Sequence, residues 1–136
     1  MKALLDTNVI VRHLTGEPSD QAEAATRFLA GADQLVLTDV IAAETVYVLD
    51  SVYGASRRQI ATALRALIAM DAVETEHPSV LLRSIDLYQG ANMDFADAYL
   101  VAYGESQGIE AVASFDKGIS KAKTVRRIEP GRTARQ

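Results

Sequence analysis

KALLDTNVIVRHL, residues 2–14, changes its hydrophobic period at an acid, and that change decides how the chain is read. KALLD (2–6) is a short apolar run that stops at Asp6, as a buried strand does on emerging at the edge of a sheet. Helical spacing begins at once, with Val9, Ile10 and Leu14 on one face, and Gly16 with Pro18 closes the segment. The same alternation recurs along the chain. A helix over 19–30 runs through Ala22, Ala25, Phe28 and Leu29, and LVLT (35–38) forms a second buried strand. A long helix from Val40 to Tyr53 ends at Gly54, and Ser56 with Gln59 forms the capping box of the next, which carries Ile60, Leu64, Leu67 and Ile68. AVETEH (72–77) alternates weakly, as an edge strand does, and Pro78 suits the first turn of a helix bearing Leu81, Ile85 and Tyr88. Gly90 and Asn92 break that helix; another occupies 94–106, ended by Gly108. AVASF (111–115) is a strand running into Asp116, and TVRRI (124–128) is a candidate last strand. Strands separated by helices, with no hairpin signal, indicate an α/β fold with a mostly parallel sheet covered on both faces.

At 136 residues the chain has the length of one domain. With 49% hydrophobic and 24% charged residues and no low-complexity tract, it has the composition of a globular protein. The absence of cysteine removes disulfides, thiolate nucleophiles and cysteine-ligated zinc together. MKALLDTN reaches a charge after three apolar residues, which fits neither a signal peptide nor a membrane span, so a cytoplasmic protein is expected. The net charge of −4 conceals an asymmetry: from Lys117 onward seven basic residues face one acid, Glu129. The basic end, from about residue 129, is either a solvated terminus or a holder of phosphates.

The acids carry the chemical information. In DFADAYLVA (94–102) Asp94 and Asp97 share a helical face that Leu100 and Val101 continue toward the interior. Asp94 can be an N-cap, but a cap needs one carboxylate and the second stays unexplained. Asp6 and Asp116 each end a strand, where ligands collect in parallel α/β sheets; each can also cap the helix that follows. Glu44 has Val40, Ile41, Tyr47 and Val48 as helical neighbours and so is expected on an apolar face. A carboxylate there needs compensation, from a cation or from a partner such as Arg12 or Arg27. If Asp6, Glu44, Asp97 and Asp116 approach one another, a divalent cation at their centre makes the crowding tolerable. An all-oxygen set selects Mg²⁺ or Mn²⁺ before zinc.

These residues resemble a known family, the PIN domain, and within it the VapC-type toxins of toxin–antitoxin pairs. The matching pieces are LLDTNVIVRHL (4–14), AAETVYVL (42–49), DFADAYLVAYGESQGI (94–109) and AVASFD (111–116), in that order. The resemblance implies a three-layer α/β/α sandwich with a central parallel sheet, over a single domain spanning 1–136. It also implies metal-dependent endoribonuclease activity, an RNA substrate, inhibition by a cognate antitoxin, and a homodimer. Carried over by position, the family's acids fall on Asp6, Glu44, Asp97 and Asp116. Asn8 matches the residue that steadies the first acid, Ser114 stands beside the last, and Asp94 is a less constant companion.

Other readings stay open on the residues alone. DTN after a strand also suits a phosphatase with an aspartate nucleophile, although Asn8 stands where such enzymes place a second aspartate. A receiver-like or RNA-binding module that holds Mg²⁺ without cutting is the non-enzymatic alternative. His13 and His77 lack spaced partners and are not assigned to catalysis. Arg57, Arg58 and Arg65 fit a solvated helix face or an RNA contact. Aromatics are few: Phe95, Phe115 and five tyrosines stand mostly at core spacing, so recognition by shape and backbone is expected over base stacking.

Overall fold

In a computed structural model, which describes residues 1–131, the chain forms two compact units that divide after Pro78. The first is a three-stranded parallel sheet with four helices. Its strands are β1 (Lys2–Leu4), β2 (Gln34–Leu37) and β3 (Val73–Thr75), in the order β1-β2-β3. Ala3 stands opposite Leu35, and Val36 opposite Glu74. Parallel neighbours require crossovers. Helices α1 (Thr7–Thr15) and α2 (Ser19–Gly31) make the first, α3 (Asp39–Ser51) and α4 (Arg57–Ile68) the second. Both crossovers step in the same direction, so the right-handed connection rule places the four helices on one face of this sheet.

Local sequence explains where these helices begin and end. Asp6 and Thr38 are the N-caps of α1 and α3, and Ser56 with Gln59 makes the expected capping box of α4, satisfying two otherwise orphaned backbone donors. Gly16, at φ 75°, ends α1 in the left-handed region that a side chain would disfavour. Leu35 and Leu37 of β2 are buried, as are Ile10, Val11, Leu29, Val46, Leu49, Ile60 and Leu64 on the helices. β3 is an edge strand of this sheet, as its weak alternation suggested. β1 is not buried along its length: Leu4 is 74% exposed, and the inward apolar residue is Leu5, just beyond the strand.

The second unit carries α5 (Pro78–Gly90), α6 (Phe95–Gln107), β4 (Ala111–Ala113), a 3-10 turn (Lys117–Lys121) and β5 (Arg126–Ile128). β4 and β5 pair in parallel, Val112 opposite Arg127. Asn92, at φ 56°, breaks the chain between α5 and α6. A Cβ on Gly104 would lie 3.1 Å from the Ile109 carbonyl oxygen, so α6 and the turn behind it approach closely only because position 104 is bare. Arg83 of α5 forms a two-pronged ion pair with Glu105 of α6, at 2.9 and 3.2 Å, and the Thr124 hydroxyl donates to the same carboxylate. Leu81, Ile85, Met93, Val101 and Ile119 are fully buried. The α/β class and the parallel pairing are those expected. Of the basic end, Arg132 and Arg135 lie outside the described residues. Among the described residues no helix is long and apolar enough to cross a membrane.

Candidate metal centre

In the second unit three acids meet. Asp94, Asp97 and Asp116 each place one carboxylate oxygen within 4.8 Å of the others. The backbone brings them there from two sides. Asp94 holds the N-cap position of α6 and Asp97 its first turn, while Asp116 follows β4 and opens the 3-10 turn. Asp94 makes no capping hydrogen bond, so its carboxylate is used in the acidic group and the simple cap reading fails. Asp116 does cap: its Oδ1 accepts from the Gly118 N–H at 2.7 Å. Ser114 fixes the approach, its hydroxyl oxygen accepting from the Asp116 N–H at 2.9 Å.

Crowding marks the electrostatics. Asp97 is half-buried and its carboxyl is pushed up to about 6, first by desolvation, then by its hydrogen bond with Asp116 and by the charges of Asp116 and Asp94. Asp116 is exposed and held below the usual carboxylate range by that same hydrogen bond, with the Gly118 N–H and the charges of Lys121 and Arg127 assisting. Below about pH 6 the pair holds a proton, which resides on Asp97. Lys121 tempers both acids and is anchored by donating from Nζ to the Asn92 carbonyl at 2.8 Å. Arg127 donates to the Ser114 carbonyl and to Glu129, each at 3.0 Å.

The donors fit a hard divalent cation on two grounds. The set is all oxygen, with more negative charge than its neighbours neutralise. The space between two of the acids is also open only for want of a side chain: a Cβ on Gly118 would lie 3.0 Å from Asp116 Oδ1 and 3.1 Å from Asp97 Oδ2.

In the first unit Asp6 and Glu44 are joined through Thr7. The Thr7 N–H donates to Asp6 Oδ1 at 2.7 Å, and the Thr7 hydroxyl donates to Glu44 Oε1. Thr7 is buried beneath two exposed acids. Here the sequence reading of Glu44 is corrected. Its apolar helical neighbours Val40 and Tyr47 are 76% and 68% exposed, and α3 instead turns Ala42, Thr45, Val46 and Leu49 inward. No burial penalty acts on Glu44, and its partner is Thr7; Arg12 bonds Gln21 and the Asn8 carbonyl. Asn8 is exposed, and among the described residues it is the Thr7 N–H, not the Asn8 side chain, that steadies Asp6.

Thr7, Gly118 and Lys121 are the contributors that sequence reasoning passed over. The first sits inside the quoted DTN, and the other two lie two and five residues beyond Asp116. The histidines have ordinary partners, His13 with Thr26 at 2.8 Å and His77 with Asp39 at 3.3 Å. Among the aromatics Phe95 is buried, but Phe115, beside Asp116, is exposed. Compared with known proteins, residues 3–125 match the sequence model described as PIN domain, across both units. No curated protein matches the chain.

Proposed function

Because the chain belongs to the PIN domain family, whose members are generally metal-dependent nucleases, we propose that it is a cytoplasmic, Mg²⁺- or Mn²⁺-dependent endoribonuclease of the VapC type, the toxin of a toxin–antitoxin pair. The observation that carries the chemistry is the meeting of Asp94, Asp97 and Asp116. The two units are read as parts of one nuclease domain, which a family match running through both supports.

Asp97 and Asp116 would hold the cation, with Asp94 as a third carboxylate; Asp6 and Glu44, paired through Thr7, are assigned to the same reaction by the family's pattern. When bound, a divalent cation supplies the charge that acidifies an attacking water and offsets the phosphate oxygens. Below about pH 6 Asp97 would have to give up its proton for this, which the cation's charge favours. The Gly118 N–H and the Ser114 hydroxyl hold Asp116 in place throughout. The Lys121 ammonium lies beside the acids, where it can meet a phosphate. Such a site uses water as the nucleophile and needs no nucleophilic side chain.

The antitoxin partner is assigned to the groove between α1 and α2, lined by Asn8, Val9, Arg12, Gln21, Ala24 and Phe28, two residues along the chain from Asp6. A homodimer is part of the same reading. The test is cleavage of labelled RNAs with Mg²⁺, Mn²⁺ or EDTA, beside Asp6→Ala and Asp116→Asn controls. Metal-dependent cuts that leave 5′-phosphate and 3′-hydroxyl ends, lost in both variants, support the reading. Ends bearing 2′,3′-cyclic phosphate, or cleavage that survives EDTA, overturn it.

A further inference from the structure

We infer that Phe115 is a stacking platform for one unpaired base, so that the bond cut lies beside a nucleotide drawn out of any duplex. This deepens the nuclease reading and rests on it. Phe115 is 72% exposed, and what sets it apart from the other exposed apolar residues is its place in the chain, next to Asp116. It makes no ring contact with another aromatic among the described residues. Its position is also fixed. The residue before it, Ser114, accepts from the Asp116 N–H and donates its own N–H to the Ile128 carbonyl at 2.9 Å, so both flanks of Phe115 are pinned. The residue after it is one of the three clustered acids.

An apolar ring thus stands one residue from the carboxylates, at the end of β4, with Lys117 and Lys121 on the turn that follows. Ring for base and ammonium for phosphate is the pairing by which single strands are held without sequence reading. A duplex offers no free base face to such a ring, whereas a loop or single strand does. Phe95, next to Asp94, does not offer this: it is buried and packs edge-on against Tyr88.

The test compares binding of a fluorescein-labelled single-stranded RNA with the same strand annealed to its complement, in Ca²⁺ to hold the uncut complex. Wild type, Phe115→Ala, Phe115→Leu and Phe115→Trp are measured together, with Mn²⁺ affinity taken by electron paramagnetic resonance in the absence of RNA. Stacking by one ring predicts that Phe115→Ala weakens single-strand binding by roughly 5- to 100-fold. Leu should restore little of this, Trp most of it, and duplex binding and Mn²⁺ affinity should not change. One abasic position beside the cut should make wild type behave like Phe115→Ala.

Equal loss on duplex and single strand, or full binding by the Leu variant, overturns the inference. Metal-dependent cleavage and single-strand binding that are the same in wild type and in all three Phe115 variants remove the stacking alone. Phe115-dependent binding without cutting in Mg²⁺ removes the nuclease reading and leaves the stacking. Absence of RNA binding by wild type removes both.

Discussion

Replacing Asp97 by Asn separates folding from chemistry. Without metal, the folded chain holds a proton on Asp97 up to about pH 6, whereas the reference carboxyl loses it near 3.8. Between those values the folded state binds more protons than the unfolded one. Stability therefore falls as pH rises through that window, and the loss persists above it. Taken in full, the shift corresponds to about 3 kcal/mol. Asp94 and Asp116 are exposed, so solvent screening lowers this to about 1–2 kcal/mol.

The amide introduced by Asp97→Asn keeps a donor for Asp116 and carries no charge. In EDTA at pH 8 the variant should therefore melt about 3–8 °C above wild type, and at pH 4 the two should coincide. Mg²⁺ should reverse the order, because binding to the native state alone adds about 2.7 kcal/mol at a hundredfold excess over Kd, and the variant has lost a ligand. Thermal melts over pH 4–8 with EDTA or Mg²⁺, run beside RNA cleavage, read all three effects. A variant less stable than wild type at pH 8 in EDTA, or one fully active with Mg²⁺, would refute the reasoning.

Three further outcomes follow from particular contacts. Gly118→Ala should weaken Mn²⁺ binding at least several-fold with little change in melting temperature, since its methyl group enters the space between Asp97 and Asp116; titration by electron paramagnetic resonance checks this. Thr7→Val should lower cleavage while costing about 1 kcal/mol in urea unfolding, because it removes the hydroxyl that holds Glu44 and keeps the N–H that holds Asp6. Ser56→Ala should cost about 0.5–2 kcal/mol through loss of the α4 cap and leave Mg²⁺-dependent activity intact, which separates a global stability loss from a defect at the acids.

Where local chemistry dictates structure, the sequence could be read directly. The acid after β1, the capping box at Ser56, the glycine after α6 and the acid after β4 are each fixed by short-range backbone demands. All stand where spacing put them. Burial of α3 could not be read this way. Hydropathy gathers Val40, Ile41, Tyr47 and Val48 into one face, but the packed face uses Ala42 and Thr45, small residues that fit close approach and carry little hydropathic signal. Glu44 is therefore exposed, not buried as hydropathy suggests, and it pairs with Asp6 through Thr7. That link needed coordinates, because 37 residues separate its ends. Asp94 and Asp97 were suspect from their three-residue spacing alone, and Asp116 joins them from beyond α6. Phe115 shows the opposite failure: an apolar residue ending a strand reads as core, and only exposure reveals that it is not.

The capping bonds of Asp6 and Asp116 also bear on how such a chain can be silenced. Each acid gives one oxygen to a backbone N–H, a task that asparagine performs equally well, so a single amide replacement keeps the scaffold while deleting the charge. Dormant copies can therefore arise in one step and persist as well-folded molecules. Such copies would still present every surface that lies away from the acids.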